Sequence, residues 1–462
     1  MGEHREFVRY SIIVKEVQIT HGAGGRVLTN TGVWSPDSHF IVYDTRSDAD
    51  GTLFDGDRIE IVDTETGMVE TVYQSRNGAY CGVPTFHPNE NTVVFILGPE
   101  YPTPDWQYSP AHRQGVIVDI ARPGVKVNLD ARDLTPPFTP GALRGGSHVH
   151  VYSPDGQYVS FTYNDSILSR FAETGPNHDM DQRNVGVCSP LPSEGEGRGK
   201  REPCECGGRG ERNHPGSTFS VLITRTVANP VPGSDQIRRA YEEGWVGVNG
   251  YQKADGTRQK RALAFLGEVI SRDGKPFSEV FIVDLPEDLV VPGDDGPLEG
   301  TETRRPLPPR GTMQRRLTFT GERKFPGVQG PRHWVRSSPD GSQIATLMRD
   351  DAGITQLWTV SPSGGTPRQV TQDAWGVASA FTWGPNGNQI VYVADNSVFL
   401  LDMATGQTQR LTPRSTDDNI PLPLACVFAP DGRKIAYLRR PADSEAIGAP
   451  RYNQIFVTYL EY

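Results

Sequence analysis

Two histidines one residue apart, His148 and His150, are the side chains of this chain best suited to chemistry. They close the phrase GALRGGSHVH over 141–150 and lead into an apolar, strand-like stretch. On an extended strand, residues two apart face the same side, so the two imidazoles are expected at one point. Imidazole nitrogens are common ligands of manganese, zinc, iron and nickel, and a third donor would complete an open site with room for a substrate. His333 is the expected third donor. Arg144 stands just ahead of two glycines that allow close backbone approach, and its planar fork suits a carboxylate. Arg332 precedes His333 in the same manner. The competing reading is that these histidines bond backbone groups in a wet channel and that the arginines are solvated rim residues.

His333 is linked to His148 by a repeated phrase. An apolar pair, then Ser-Pro-Asp-Gly or a near copy, recurs as VWSPDS (33–38), TFHPNE (85–90), VYSPDG (151–156), RSSPDG (336–341), TWGPNG (382–387) and VFAPDG (427–432). The last three copies are about 45 residues apart, a period that with several short strands per repeat indicates a β-propeller. Aligned on their prolines, the repeats place Asn30, His148 and His333 at one level of a ring. Asn30 and Arg332 are accordingly expected to touch a substrate in the channel.

Each phrase ends one strand and begins another, as in 342–348, 388–393 and 433–438; third strands follow at 355–360, 398–402 and 453–458. A short Arg-Leu/Val-Thr phrase marks the fourth, and its echo VQIT at 17–20 precedes any first strand. The expected fold is therefore all-β, one seven-bladed propeller over 1–462, closed by an N-terminal strand that completes the last blade; six blades is the alternative. The fourth blade lacks the proline phrase; 245–248, 262–270 and 279–285 are its expected strands. Stretches at about 189–216 and 289–310, rich in Gly, Pro and charge, are expected to be loop insertions, the first disordered.

Composition narrows the function. Glycine (50) and proline (38) make up nearly a fifth of the chain, which suits many turns and few helices. A net charge of −10 with no basic block argues against nucleic acid or an anionic membrane as partner, and no apolar run is long enough to span a bilayer. The charged N-terminus lacks the apolar core of a signal peptide, so the protein is expected in the cytoplasm. Five cysteines do not make a disulfide framework; Cys81 and Cys426 read as buried thiols, and Cys188, Cys204 and Cys206 fall in or beside the first insertion. His87 sits at a blade corner and reads as structural. His214 and His178, in polar loops, are the candidate general bases. No nucleophile elbow, Walker loop or dinucleotide fingerprint is present, and the Ser-Pro-Asp serines read as turn caps.

The blade phrase resembles that of the Tol-type (TolB-like) propellers. More closely, the stretches 29–46, 139–165, 183–187, 239–247, 331–341 and 378–387 resemble the YidR-like family of bacterial proteins. A more distant resemblance is to oligogalacturonate lyases, cytoplasmic seven-bladed propellers that hold manganese with a His-x-His pair, which His148 and His150 match. The glutamine that precedes their pair has no counterpart in 144–147, and Val83 stands where a lyase segment carries histidine. The resemblance implies a metal-dependent lyase acting on a sugar acid or oxidised sugar, with a divalent metal, manganese first, on His148, His150 and His333. His214 or His178 would take the proton and Arg144 would share the enolate charge. The alternative is a non-catalytic propeller that binds a protein or a glycan through its rim.

Overall fold

The computed structural model describes residues 13–29, 31–49, 51–191, 212–332, 334–416, 418–441 and 451–461. The Ser-Pro-Asp phrase makes its turn in a uniform way. The Ser153 hydroxyl donates to Asp155 Oδ1, the Tyr158 N–H donates back to Ser153 Oγ at 3.0 Å, and Gly156 takes φ 75°. Ser35 with Asp37 and Ser338 with Asp340 repeat this pattern. These serines are capping groups, fully committed to local backbone.

Alternating strands on either side of such turns assemble seven four-stranded antiparallel sheets. Blade 1 holds Gly25–Val27, Phe40–Arg46, Arg58–Asp63 and Val69–Gln74; blade 2 holds Cys81–Phe86, Thr92–Leu97, Gln114–Asp119 and Lys126–Asn128. Blade 3 runs Gly145–Tyr152, Val159–Asp165, Asn184–Ser189 and Phe219–Leu222, and blade 4 runs Ala240–Trp245, Ala262–Ile270, Pro276–Asp284 and Met313–Arg316. Blades 5 and 6 start at Arg336–Ser337 and Thr382–Trp383. The last blade combines Cys426–Phe428, Lys434–Arg439 and Gln454–Glu461 with the N-terminal strand Ile13–Gln18, registered Val17 to Val457. The expected closure is therefore present, and all seven blades exist. The inner strand of blade 4 lies earlier than expected, at Ala240–Trp245, because no proline phrase marks its end. Among the described residues the only helical element is a 3-10 turn at Leu168–Arg170, and none is long and apolar enough to cross a membrane.

Apolar side chains fill the space between neighbouring blades. Val33, Ile41 and Tyr43 of blade 1 pack with Val427, Ala436 and Ile455 of blade 7, sealing the ring. Polar staples cross the seams beside this packing. Three indole N–H groups each donate to an inner-strand carbonyl of the adjacent blade: Trp34 to Val427 at 3.1 Å, Trp245 to Val151 at 3.0 Å and Trp383 to Arg336 at 3.0 Å. The Thr85 and Thr382 hydroxyls do the same to His150 and Cys426. The 289–310 stretch is a loop as expected, but a packed one. Leu289 and Leu298, each 4% exposed, join the core between blades 3 and 4. Most of the other insertion, with Cys204 and Cys206, lies outside the described residues.

Candidate functional site

In a four-stranded antiparallel blade, the start of the inner strand and the loop from second to third strand fall at the same end of the ring. That end gathers the charged groups. The inner strands of blades 2, 3 and 4 each carry a bulge at the same place, between Gly82 and Thr85, His148 and Val151, and Tyr241 and Gly244. The bulged residues Val83, Val149 and Glu242 have φ of 57°, 57° and 54°, a conformation β-branched valine rarely takes. Such strain persists only where the surrounding structure dictates it, and it concentrates at functional sites.

The bulge interrupts the alternation expected between His148 and His150. His150 is fully buried at the seam between blades 2 and 3, where its Nε2 meets Ser147 Oγ at 3.0 Å. Ser147 in turn donates to Asp130 Oδ1 at 3.1 Å, an oxygen that also accepts the Gly115 N–H at 2.7 Å. With the single hydroxyl proton of Ser147 given to Asp130, His150 Nε2 must donate and Nδ1 is left bare. A Cβ on residue 115 would stand 2.8 Å from His150 Nε2 and 2.9 Å from Asp130 Oδ1, so glycine is what lets this trio close. Burial first, then the Arg113 charge, holds the His150 imidazole down at about 3.

His148 is 7% exposed, and its Nδ1 has no hydrogen-bond partner. Burial, then the guanidiniums of Arg113 and Arg183, push its imidazole well below the usual range. Arg113 and Arg183 each end the loop from second to third strand, in blades 2 and 3. Electrostatic neighbours continue the run: Arg183 with Glu243, Glu243 with Arg336, and Arg336 with Arg332 and Glu242. Among the described residues no carboxylate lies within ion-pair distance of Arg113, Arg183, Arg332 or Arg336. Arg332 and Arg336 flank the Trp334 ring at 4.9 and 5.0 Å, and Arg336 Nε and Nη2 are buried without partners. Half-buried guanidiniums with no carboxylate partner form a receptor for an anion.

Glu243 is the acidic member of the run. It is 1% exposed and accepts the Thr162 hydroxyl at 3.0 Å; burial pushes its carboxyl up to about 7. The folded protein thus binds this proton more tightly than the unfolded chain. The stability it contributes is fully present below about pH 4.5 and is lost as pH rises to about 7. Glu243→Gln cannot titrate, so the stability of the native chain relative to this variant is expected to fall by on the order of 3 kcal/mol across that window. Denaturant titrations at both pH values check this; a difference that stays flat with pH would contradict it.

The other candidates from the sequence stand elsewhere. Arg144 is 1% exposed: its Nε bonds Asp165 at 2.8 Å, its Nη groups bond the carbonyls of Thr301 and Arg304, and Phe138 covers it. It ties the 289–310 loop to blade 3: each of its three nitrogens is engaged, buried and covered, so it serves structure in place of the ligand-binding role expected for it. His214 is fixed to the segment that follows blade 2. Its backbone pairs with Arg132 at 2.9 and 3.1 Å, its Nδ1 contacts the Pro215 carbonyl, and burial with Arg132 nearby holds it at about 3. His178 stacks on Phe171 at 4.2 Å inside its own loop, which Asp179 latches to Arg304 and Arg305. Neither is placed beside His148. Asn30 and His333 lie outside the described residues. His87 contacts the Gly156 carbonyl at 3.2 Å and sits edge-on to Tyr152, as a corner residue should. Cys81, Cys188 and Cys426 are buried cysteines that form no disulfide among the described residues.

The donors for the expected metal are incomplete among the described residues. His148 and His150 each keep a bare, buried Nδ1, as a ligand would, yet no group of three or more His, Cys, Asp or Glu side chains converges there. The charges nearest His148 are guanidiniums, which raise the cost of a dication. The described residues therefore fit an anion better than a metal ion.

Ring and mouth together define a seven-bladed β-propeller, one end of which gathers arginines without carboxylate partners near a buried histidine. The chain belongs to the YidR family: it is 46% identical over 424 residues to the uncharacterized protein YidR of Escherichia coli K12, covering 91% of this chain and 94% of that one. A family described as a protein of unknown function (DUF3748) matches residues 80–202. Among solved structures, an oligogalacturonate lyase in complex with manganese aligns with a TM-score of 0.53 at 12% identity, over 98% of this chain and 96% of that one. An oligogalacturonate lyase from Vibrio parahaemolyticus aligns at 0.49 and 11% identity, over 97% of both chains. At these identities the likeness is one of fold.

Proposed function

We propose that the chain is a carbohydrate lyase that carries out β-elimination on a sugar acid or oxidised sugar in the channel. The observation that carries this reading is the buried His148, its Nδ1 without a hydrogen-bond partner, with Arg113 and Arg183 as electrostatic neighbours that have no carboxylate within ion-pair distance among the described residues. Those guanidiniums would hold the carboxylate of the substrate and stabilise the enolate-like charge that develops on it, easing loss of the adjacent C–H proton. His148 takes that proton. Its basicity is held down by burial and by the two arginines, so a bound carboxylate, by offsetting their charge, would raise it at the moment of reaction. The β-oxygen then leaves with its bonding electrons as the C=C bond forms. A divalent cation, manganese first and zinc, iron or nickel after it, is implied by the sequence resemblance alone; His148 is assigned here to the proton, the described residues fit an anion better, and no step is routed through a metal. Action on a small carbohydrate in the cytoplasm belongs to the same proposal.

The test is ultraviolet absorbance of unsaturated product from a panel of uronides, with metal content measured in parallel on untagged protein. His148→Ala is expected to lower the rate by about 10²–10⁴. About one bound metal per chain that is lost in folded His148→Ala/His150→Ala would bring the ion into the mechanism. No unsaturated product from any uronide would leave a glycan- or protein-binding propeller as the better reading.

A further inference from the structure

Next to the arginine mouth lies a cleft of about 470 Å³ that is chemically its opposite. Its walls are Tyr80, Tyr108, Pro99, Pro102, Thr103 and Gln107, with no charged side chain among the residues that line it. It opens in the 98–113 loop of blade 2, the same loop that ends at Arg113. Tyr108 is the shared wall. Its ring stacks on Phe54 at 4.4 Å and meets Tyr80 edge-on at 6.2 Å, while the Arg113 guanidinium covers it at 4.9 Å. The Arg113 guanidinium over the ring, with Arg46 and Asp44, makes up the electrostatic surroundings of the Tyr108 hydroxyl.

The cleft is held open by strained backbone. Asn77 and Tyr101 take φ of 53° and 49°, and the Tyr101 N–H donates to the Asn77 carbonyl at 2.8 Å, tying the two rims together. Arg212 holds the carbonyls of Glu100 and Tyr101 at 2.9 and 3.0 Å from the other side. Gly78, at φ 78°, faces Pro102, whose Cδ would lie 3.2 Å from a Cβ on residue 78. Tyr80 remains 40% exposed and Tyr101 68% exposed beside these fixed rims. Exposed aromatic faces with a few amides and hydroxyls stack on the C–H face of a sugar ring and bond its hydroxyls.

We infer that this cleft is a second sugar subsite and that it takes an uncharged residue, so that the ligand is a heteroglycoside joining one acidic sugar to one neutral sugar. The inference rests on the proposed reading of the mouth as a sugar-acid site. A homopolymer of uronic acids would have to place a second carboxylate against tyrosine and proline with no cation lining the cleft, and would lose its hydration there.

Binding calorimetry with three probes tests this: galacturonate, digalacturonate, and galacturonosyl-rhamnose, which carries one carboxylate and one neutral ring. The native chain is expected to bind galacturonosyl-rhamnose about tenfold tighter than digalacturonate. Tyr80→Ala should erase that preference while leaving galacturonate affinity within about twofold. Gln107→Arg, which puts a cation in the cleft, should turn the preference toward digalacturonate. Equal or tighter binding of digalacturonate by the native chain, or a preference that survives Tyr80→Ala, overturns the inference. If galacturonate binds and Arg113→Ala abolishes it, the mouth reading stands even where the cleft reading falls. If no acidic sugar binds the native chain, both fall.

Discussion

Deletion of residues 1–20 is expected to cost the protein its folded state, because the last blade would lose its outer strand. Six residues, Ile13–Gln18, pair along Gln454–Glu461, and Val14 and Val17 pack onto the cores beside blade 7. Arg439, 4% exposed, pairs with Glu16 Oε1 at 2.7 Å, and Tyr437 donates its hydroxyl to the same carboxylate. Removing that partner leaves a buried cation uncompensated, worth about 3–5 kcal/mol by itself. Ile19, 5% exposed, adds about 1.5–3 kcal/mol, and the partly buried Val14 and Val17 add less each. The sum approaches the whole stability of an ordinary domain, about 5–15 kcal/mol. Soluble yield and thermal melting of the deleted chain measure it, and addition of a synthetic strand peptide should restore part of the transition. A deleted chain that melts within a few degrees of the intact one would mean that the seam between blades 7 and 1 closes without this strand.

Arg183→Ala is the second large effect, and its two readouts should move in opposite directions. Among the described residues the guanidinium has no carboxylate within ion-pair distance, and burial and the charges of Arg113 and Arg239 outweigh the more distant Asp181 and Glu243, so it is held at a cost in repulsion and desolvation. Truncation is expected to raise stability by about 1 kcal/mol, as often happens when a functional strain is relieved. On a uronide substrate kcat/KM should fall by about 10²-fold, the scale of a lost charge-stabilising donor. The same divergence is expected of Arg113→Ala, reduced by the loss of its stacking on Tyr108. A variant that is destabilised yet fully active would make Arg183 a structural residue and remove the mouth from the chemistry.

What the sequence disclosed was governed by local rules. The Ser-Pro-Asp-Gly turns depend on hydroxyl and carboxylate bonds to the adjacent backbone, so five of the inner-strand ends and their following strands could be placed to within a residue or two. Blade 4 has no such turn, so nothing local in the sequence marks the end of its inner strand, which carries Glu242 and Glu243. The bulges at Val83, Val149 and Glu242 leave no trace in composition, because valine has no local reason to adopt positive φ; the ring imposes it. Strict alternation puts His148 and His150 on one face; with the bulge between them His150 closes on Ser147 while His148 keeps a bare Nδ1, and the two remain electrostatic neighbours. Arg144 looked like a ligand-binding fork for a similar reason: its partners, Asp165 and the carbonyls of Thr301 and Arg304, are remote in sequence. Arg113 and Arg183 were overlooked because each stands at the end of a loop with no motif around it, and only the alignment of loop ends around a ring brings them together.

The indole staples carry one more consequence. Trp34, Trp245 and Trp383 each straddle a different joint of the ring, and each N–H is occupied only while that joint is shut. Native emission should therefore act as a distributed gauge of the molecule's mechanical integrity. Single Trp→Phe replacements would tell which joint parts first as denaturant rises, and whether occupation of the channel tightens the ring evenly or at one hinge.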